Sequence, residues 1–164
     1  MKLHRAFGCY GILTWHHDLV VIAKHGGPYT GRFDLPGGSL DGPEALDACV
    51  LREVHEETGV AATIQQQLGI VSFDYPWTYK KWDHNQHLAV FYRLQAPETE
   101  LLKHPVQFIG QDSLGARTMK LAELSEQNAS LLVLWAKAFL QTGNLDLTAK
   151  HYPHWQTYEN LGGR

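Results

Sequence analysis

Residues 38–60 read GSLDGPEALDACVLREVHEETGV, and most of what the sequence predicts starts from this stretch. We expect a helix that begins at Pro43, a residue suited to the first helical turn. It should end at Gly59, because glycine favours the left-handed conformation that terminates helices. Glu44 and Asp47 place negative charge in the first turn, where the helix dipole favours it. The stretch therefore predicts one helix with a defined start and end.

The last turns of this helix carry a cluster of acids. Glu53, Glu56 and Glu57 are spaced i, i+3 and i+4, so all three project from one side. Like charges at i, i+4 cost about 0.2–0.5 kcal/mol per pair, and acids near a helix C-terminus lose about 0.3–1 kcal/mol each. Mg²⁺ or Mn²⁺ removes both penalties, because carboxylate oxygens are its preferred ligands. The spacing predicts a metal site, although a solvated helix face could carry the same three residues.

Two further features position these acids. Leu46, Val50 and Val54 form an apolar i, i+4, i+8 row, which is expected to bury the adjoining stripe of the helix. Arg52 precedes Glu56 by four residues and can pair with its carboxylate, which keeps that group ionised. The acids are therefore predicted to lie on the border between the core and solvent.

The complete spacing over residues 38–60 resembles the Nudix box at every fixed position. The resemblance implies an α/β fold, an α/β/α sandwich with a mixed β-sheet, the Nudix helix on one side and a C-terminal helix on the other. It also implies a hydrolase that cleaves a nucleoside diphosphate linked to another moiety and requires Mg²⁺ or Mn²⁺. Position by position, the metal ligands would be Glu53, Glu56, Glu57 and Gly38, with the same three acids and Arg52 as the catalytic residues.

The resemblance leaves the general base open. Any of the three clustered acids could take a proton from the attacking water. Relatives differ in this role, and some use an acid on a later loop, for which Asp112 and Glu123 are the candidates here. Glu44, the remaining acid of the box, is interpreted either as structural or as a residue that supports the metal ligands without contacting the metal.

Length and composition limit the classes of protein that this chain can belong to. With 164 residues, 44% of them hydrophobic, the chain fits one globular domain, which we place at residues 1–150, with 151–164 as a packed or frayed tail. A net charge of −3 argues against duplex nucleic acid as a partner. The longest apolar run, residues 131–140, is too short for a membrane span. Cys9 and Cys49 form no recognisable pair motif, so we expect a cytoplasmic protein.

Local patterns predict the remaining elements. A strand hairpin is expected at the N-terminus, two strands in the middle with an aromatic-rich loop between them, and a late helix ending before Gly143. The expected ranges are residues 5–15 and 19–24 for the hairpin, 62–73 and 86–94 for the middle strands, and 130–142 for the helix. Residues 97–105 are expected to be a linker, and residues 107–119 are ambiguous.

The aromatic-rich loop is predicted to bind the substrate. Phe73, Tyr75, Trp77 and Tyr79 lie close to Lys80 and Lys81, and such a composition can stack a nucleobase and attract phosphates. The same rings could instead pack in the core or in a dimer interface, so a homodimer is an alternative.

The substrate class follows only weakly from the sequence. Pro76 stands sixteen residues beyond Val60 and resembles a marker of ADP-ribose pyrophosphatases, which favours ADP-ribose or a related sugar nucleotide as the small-molecule substrate. A pyrophosphatase for oxidised nucleoside triphosphates is the second interpretation. A non-catalytic Nudix-fold nucleotide sensor is the third, and its usual sign would be the loss of a box carboxylate, whereas all three are present here.

Overall fold

The computed structural model of the chain describes residues 1–97 and 113–160, and its strands form two sheets. The helices are α1, Leu46–Thr58, and α2, Leu131–Thr142. The strands, in chain order, are β1 Leu3–Ile12, β2 Thr14–Trp15, β3 Asp18–Lys24, β4 Phe33–Asp34, β5 Gly37–Gly38, β6 Thr63–Tyr79, β7 Trp82–Gln95, β8 Ser113–Met119 and β9 Lys150–His151. Neither α-helix in these ranges is long and apolar enough to cross a bilayer.

The larger sheet is mixed. Its order is β5-β1-β7-β6-β9, in which β1 pairs with β7 in parallel while β6 and β7 form a long antiparallel hairpin. In the smaller sheet, β3 pairs antiparallel with β2, β4 and β8. The N-terminal strand is thus held by a strand that follows it by about eighty residues.

Two apolar clusters lie on opposite faces of these strands. Successive residues of a strand point to opposite faces, so Tyr10 and Phe91 belong to one cluster while Cys9 and Val90 belong to the other. Helix α2 supplies six buried residues to the first cluster, and α1 packs against the second. The predicted α/β/α sandwich, with the two helices on opposite sides, is confirmed.

Both predicted helices are present with the expected glycine ends. Gly59 and Gly143 adopt φ values of 74° and 72° and donate their N–H groups to carbonyl groups of the last helical turns. The predicted start at Pro43 is wrong, because α1 begins at Leu46. The carboxylate of Glu44 accepts a hydrogen bond from the Asp41 N–H at 2.9 Å, which holds this segment in a turn ahead of the helix.

The N-terminal hairpin is present in a modified form. Its turn lies at His16 and His17, whose φ values of 49° and 73° match the right-handed twist of a two-residue hairpin. The predicted continuous strand over residues 5–15 is wrong, because the chain changes sheets at the buried residue Leu13. Strand β1 therefore belongs to the larger sheet and β2 to the smaller one.

The prediction of an aromatic-rich loop between residues 73 and 86 is also wrong, because most of this segment is strand. Strand β6 continues to Tyr79 and β7 begins at Trp82, with Lys80 in the turn at φ 52°. The aromatic residues recur at every second position, which is the period of a strand, and this signal identifies the segment better than its composition. The ambiguous region forms strand β8 from Ser113 onward, while residues 98–112, which include most of the expected linker, lie outside the described residues.

We expect Ser130→Ala to lower the free energy of unfolding by about 1–3 kcal/mol. The hydroxyl of Ser130 caps α2 by accepting from the Val133 N–H at 3.1 Å, and it donates to the buried carboxylate of Asp34 at 2.6 Å. Urea denaturation measures the loss. The control is Ser125→Ala, because the exposed Ser125 hydroxyl accepts only a 3.3 Å bond from Gln127, and an equal effect of both variants would contradict the prediction.

Candidate functional site

A cavity of about 410 Å³ lies between helix α1, strand β1 and the segment of residues 26–29. The three clustered acids, Glu53, Glu56 and Glu57, all line it. The acidic side of α1 therefore faces a cavity, in which Glu57 is buried and Glu56 remains partly exposed. Its volume falls in the range of small-molecule binding sites.

Arg52 connects two acidic residues of the helix with one in the preceding turn. Its guanidinium makes a bidentate pair with Glu44, at 2.7 and 2.9 Å, and its Nη1 donates to Glu53 at 3.0 Å and to Glu56 at 3.2 Å. It also donates to the carbonyl oxygen of Ser39 at 3.2 Å. These hydrogen bonds from Arg52 hold the pKa of Glu44 at about 2. The expected pairing of Arg52 with Glu56 is present, and Glu44 is the stronger partner.

Glu57 is the most buried of the three acids. Its side chain is 5% exposed, and burial raises its pKa to about 8, against the opposing effects of the Lys24 charge and of the Gly37 N–H, which donates to it at 2.8 Å. Burial also raises the pKa of Glu53. Desolvation is the main cause in both cases, and a cation bound near these carboxyl groups would favour their ionised forms.

Two glycines allow the backbone to pass close to these carboxylates. A Cβ atom on Gly38 would lie 2.7 Å from a carboxylate oxygen of Glu53. Gly37 adopts φ 152°, and a Cβ there would lie 2.3 Å from the carbonyl oxygen of Cys9. Strand β5 therefore has to be Gly-Gly for β1 and α1 to approach each other at the cavity.

The floor of the cavity is a hydrogen-bonded network of buried polar side chains. His87 is bonded to the Tyr10 hydroxyl at 2.8 Å through Nε2 and to the Tyr29 hydroxyl at 3.1 Å through Nδ1, and all three residues line the cavity. Away from the cavity, Asn85 donates to the Tyr75 hydroxyl at 2.7 Å. Burial lowers the pKa of His87 to about 3, with smaller effects of the charges on Lys24 and His4. The imidazole is therefore neutral, with one ring nitrogen donating and the other accepting.

The side chains that line the cavity have the chemistry of ligands for a hard divalent cation, but their carboxylates are directed to different sides. Among the described residues, no three Asp, Glu, His or Cys side chains converge so as to hold a metal ion. Arg52 draws Glu53 and Glu56 toward one side, while the Gly37 N–H draws Glu57 toward another. Glu56 is 37% exposed and is held by its hydrogen bond from Arg52. The residues thus offer carboxylate oxygens of the right chemistry at the wall of the cavity.

The predicted substrate-binding aromatic residues do not line this cavity. Phe73 and Tyr75 are fully buried in the core, because the strand alternation turns them toward α2 and the C-terminal segment. Trp77 and Tyr79 stack on each other at a centroid distance of 5.0 Å, near the end of the β6–β7 hairpin, where they line a separate cleft.

Sequence reasoning missed several residues that line the cavity. Lys24, Tyr10, Tyr29, His87 and Asp34 come from different strands and loops that meet only through sheet pairing. The nearest signal was the glycine-rich stretch that follows Lys24, which predicts an irregular loop but not its direction. Of the candidates for a general base on a later loop, Glu123 does not line the cavity, and Asp112 lies outside the described residues.

Comparisons with known proteins agree with this geometry. A family model described as NUDIX domain matches residues 2–142. Over 72 residues, the chain is 34% identical to an ADP-ribose pyrophosphatase of Methanocaldococcus jannaschii. The aligned region covers 44% of this chain and 43% of that relative. The chain is 31% identical over 75 residues to the NAD-capped RNA hydrolase NudC of Vibrio parahaemolyticus, covering 46% and 27%. The chain thus spans less than half the length of these curated relatives.

A solved structure shows that the similarity of fold extends over almost the whole chain. The crystal structure of a NUDIX hydrolase from Nitrosomonas europaea superposes with a TM-score of 0.65 at 16% identity, covering 91% of this chain and 79% of the other.

We expect His87 to lower the stability of the protein when the pH falls from 7 to 5. Because the folded-state pKa of His87, about 3, lies below the unfolded value of about 6.5, its contribution is complete well above pH 6.5 and is lost as the pH falls toward 3. At pH 5 the loss from this group is about 2 kcal/mol, and Glu57, whose pKa is raised to about 8, acts in the opposite direction. Urea denaturation at both pH values should therefore show that His87→Gln gains stability relative to the wild type as the pH is lowered, whereas the control His55→Gln, on the exposed surface of α1, should follow the wild type. Equal pH dependence of all three proteins would contradict the prediction.

Proposed function

The chain belongs to the NUDIX family, and we propose that it is a metal-dependent pyrophosphohydrolase that cleaves a nucleoside diphosphate linked to another moiety. The observation that carries this proposal is the cavity of about 410 Å³ that all three box carboxylates line together with Lys24. Acidic groups for a cation and a basic group for a phosphate thus line the same cavity.

ADP-ribose or a related sugar nucleotide is the substrate class that we propose. The M. jannaschii relative, named ADP-ribose pyrophosphatase, supports this choice, and so does the sequence marker Pro76. The aromatic rings available for a nucleobase are Phe7, Tyr10 and Tyr29, which line the same cavity as the acids. We propose these rings in place of the aromatic residues of β6.

The chain's own groups have distinct roles in this proposal. Glu53, Glu56 and Glu57 would hold Mg²⁺ or Mn²⁺, and such an ion neutralises phosphate oxygens and lowers the pKa of bound water. Arg52 fixes the directions of Glu53 and Glu56 through its two hydrogen bonds. Lys24 supplies positive charge toward a phosphate group, and Gly38 lets the backbone approach. A carboxylate of the cluster within hydrogen-bond reach of the attacking water would accept its proton.

We also propose that the protein works in a reducing compartment such as the cytoplasm. Cys9 and Cys49 lie in the same apolar cluster, and both are free and buried. A homodimer stays an untested prediction.

A substrate screen tests the reaction class. We expect release of a nucleoside monophosphate from ADP-ribose in the presence of Mg²⁺ or Mn²⁺, no turnover with EDTA, and recovery after the metal ion is restored. Preferential turnover of 8-oxo-dGTP would favour the second interpretation. Tight nucleotide binding without turnover of any compound in the panel would favour the sensor.

We expect Glu56→Gln to lower kcat by at least ~10²-fold while the protein stays folded. The substitution keeps the size of the side chain, and it removes a charge that the proposed cation requires. The control is Asp47→Asn, because Asp47 is an exposed acid on the first turn of the same helix and is not a cavity residue. Thermal denaturation verifies that both variants are folded, and normal turnover by Glu56→Gln would refute the assigned role.

A further inference from the structure

We propose that the C-terminal segment of residues 152–158 is part of the substrate site, with Trp155 as a positioning residue for the cavity wall formed by Pro28 and Tyr29. This inference rests on the proposed function, because Pro28 and Tyr29 line the same cavity as the carboxylates. The segment lies beyond residues 2–142, which the family model matches. The resemblance to the family therefore implies no role for it.

Trp155 contacts both residues of the wall. Its indole Nε1 donates to the carbonyl oxygen of Pro28 at 2.6 Å, and its ring meets the ring of Tyr29 edge-on, with centroids 5.6 Å apart. On the side away from the cavity, it packs on Tyr75 at 5.5 Å. One side chain thus fixes the backbone of residue 28 and the ring of residue 29 relative to the core.

Arg32 holds the C-terminal segment in place. Its side chain lies near the rings of Trp155 and Tyr158, with the guanidinium carbon 4.0 and 4.6 Å from their centroids. The guanidinium donates twice to the carbonyl oxygen of Gln156, at 2.8 and 3.1 Å, and once to that of Ala129 at 3.2 Å. Arg32 is only 3% exposed, so these carbonyl and aromatic partners, and not water, stabilise its positive charge.

Backbone contacts also connect the loop of residues 26–32 with the C-terminal segment. The N–H of Tyr158 donates to the carbonyl oxygen of Thr30 at 3.0 Å. Gly31 adopts φ 76°, and a Cβ atom there would lie 2.5 Å from the carbonyl oxygen of Tyr158. The loop of residues 26–32 is therefore shaped to receive the C-terminal segment.

The contacts of Trp155 reach the floor of the cavity but not its acids. Tyr29 is bonded to His87, which is bonded to Tyr10, and these residues form the side where we propose that the nucleoside lies. The acids have hydrogen bonds of their own, from Arg52 and from the Gly37 N–H, and none from Trp155. Loss of the Trp155 contacts should therefore weaken nucleotide binding and leave metal binding unchanged.

The test compares Trp155→Phe with Trp135→Phe. Trp135 is a matched control, because its Nε1 also donates to a backbone carbonyl, that of Asp146 at 2.8 Å, and its ring stacks in the same apolar cluster on Phe91. It does not line the cavity. Each variant loses one indole hydrogen bond and keeps an aromatic ring.

We expect Trp155→Phe to raise KM for ADP-ribose, and the Kd of ADP-ribose with Mn²⁺, by about 3- to 10-fold, the range for the loss of one hydrogen bond. Its kcat and its affinity for Mn²⁺ alone should stay within about 2-fold of the wild type. Trp155→Ala should give a larger rise in KM, which the Phe variant partly rescues. Trp135→Phe should lower Tm by about as much as Trp155→Phe does, and it should leave KM unchanged.

Equal rises in KM for Trp155→Phe and Trp135→Phe would overturn the positioning role, and so would a lowered kcat with unchanged KM. Failure of the wild type to bind or cleave ADP-ribose would count against the proposed substrate class instead. In that event hydrogen exchange over residues 26–34 decides the matter. Faster exchange in Trp155→Phe than in Trp135→Phe supports the role, and equal protection refutes it.

Discussion

The arrangement of charge around Arg52 is the constraint on which the rest of the site depends. One guanidinium is shared among the carboxylates of Glu44, Glu53 and Glu56, and it also reaches the carbonyl oxygen of Ser39. It fixes α1 to the turn before it and orients two acids toward the cavity. Glu57 lies buried near this group, and the charge of Lys24 favours its ionised form. We propose that a bound cation supplies the further positive charge that the ionised acids require.

The floor of the cavity is held together by hydrogen bonds between neutral side chains instead of by ion pairs. His87, Tyr10 and Tyr29 are buried but satisfy one another's hydrogen bonds, so this surface is polar without being charged. A satisfied network of this kind is rigid, because displacing one member leaves another unpaired in a region of low dielectric constant. The cavity thus combines the ionisable acids of α1 with a neutral, hydrogen-bonded floor. That division suits a ligand with a phosphate end and a nucleoside end.

The sequence predicts the helices and the acidic cluster well, because their signals are local. Glycine caps, the Ser130 cap and the spacing of the three acids all act within a few residues of the chain. The two-residue strands β4, β5 and β9 have no such signal, since they exist only through pairing with distant partners. The same reason explains the error over Phe73 and Tyr75. Their composition favours stacking on a base, whereas their alternation along β6 decides that they are buried.

The parallel pairing of β1 with β7 has a consequence for how the molecule is made. Tyr10 and His87 are 77 positions apart, yet they meet directly beneath the cavity. During synthesis the first strand must wait, unpaired on this edge, until the second hairpin strand has emerged from the ribosome, and contacts so distant in sequence form slowly. Only when residue 155 follows can the wall at residues 28 and 29 be locked. The nascent chain therefore completes its ligand pocket last, long after the acidic helix has been translated.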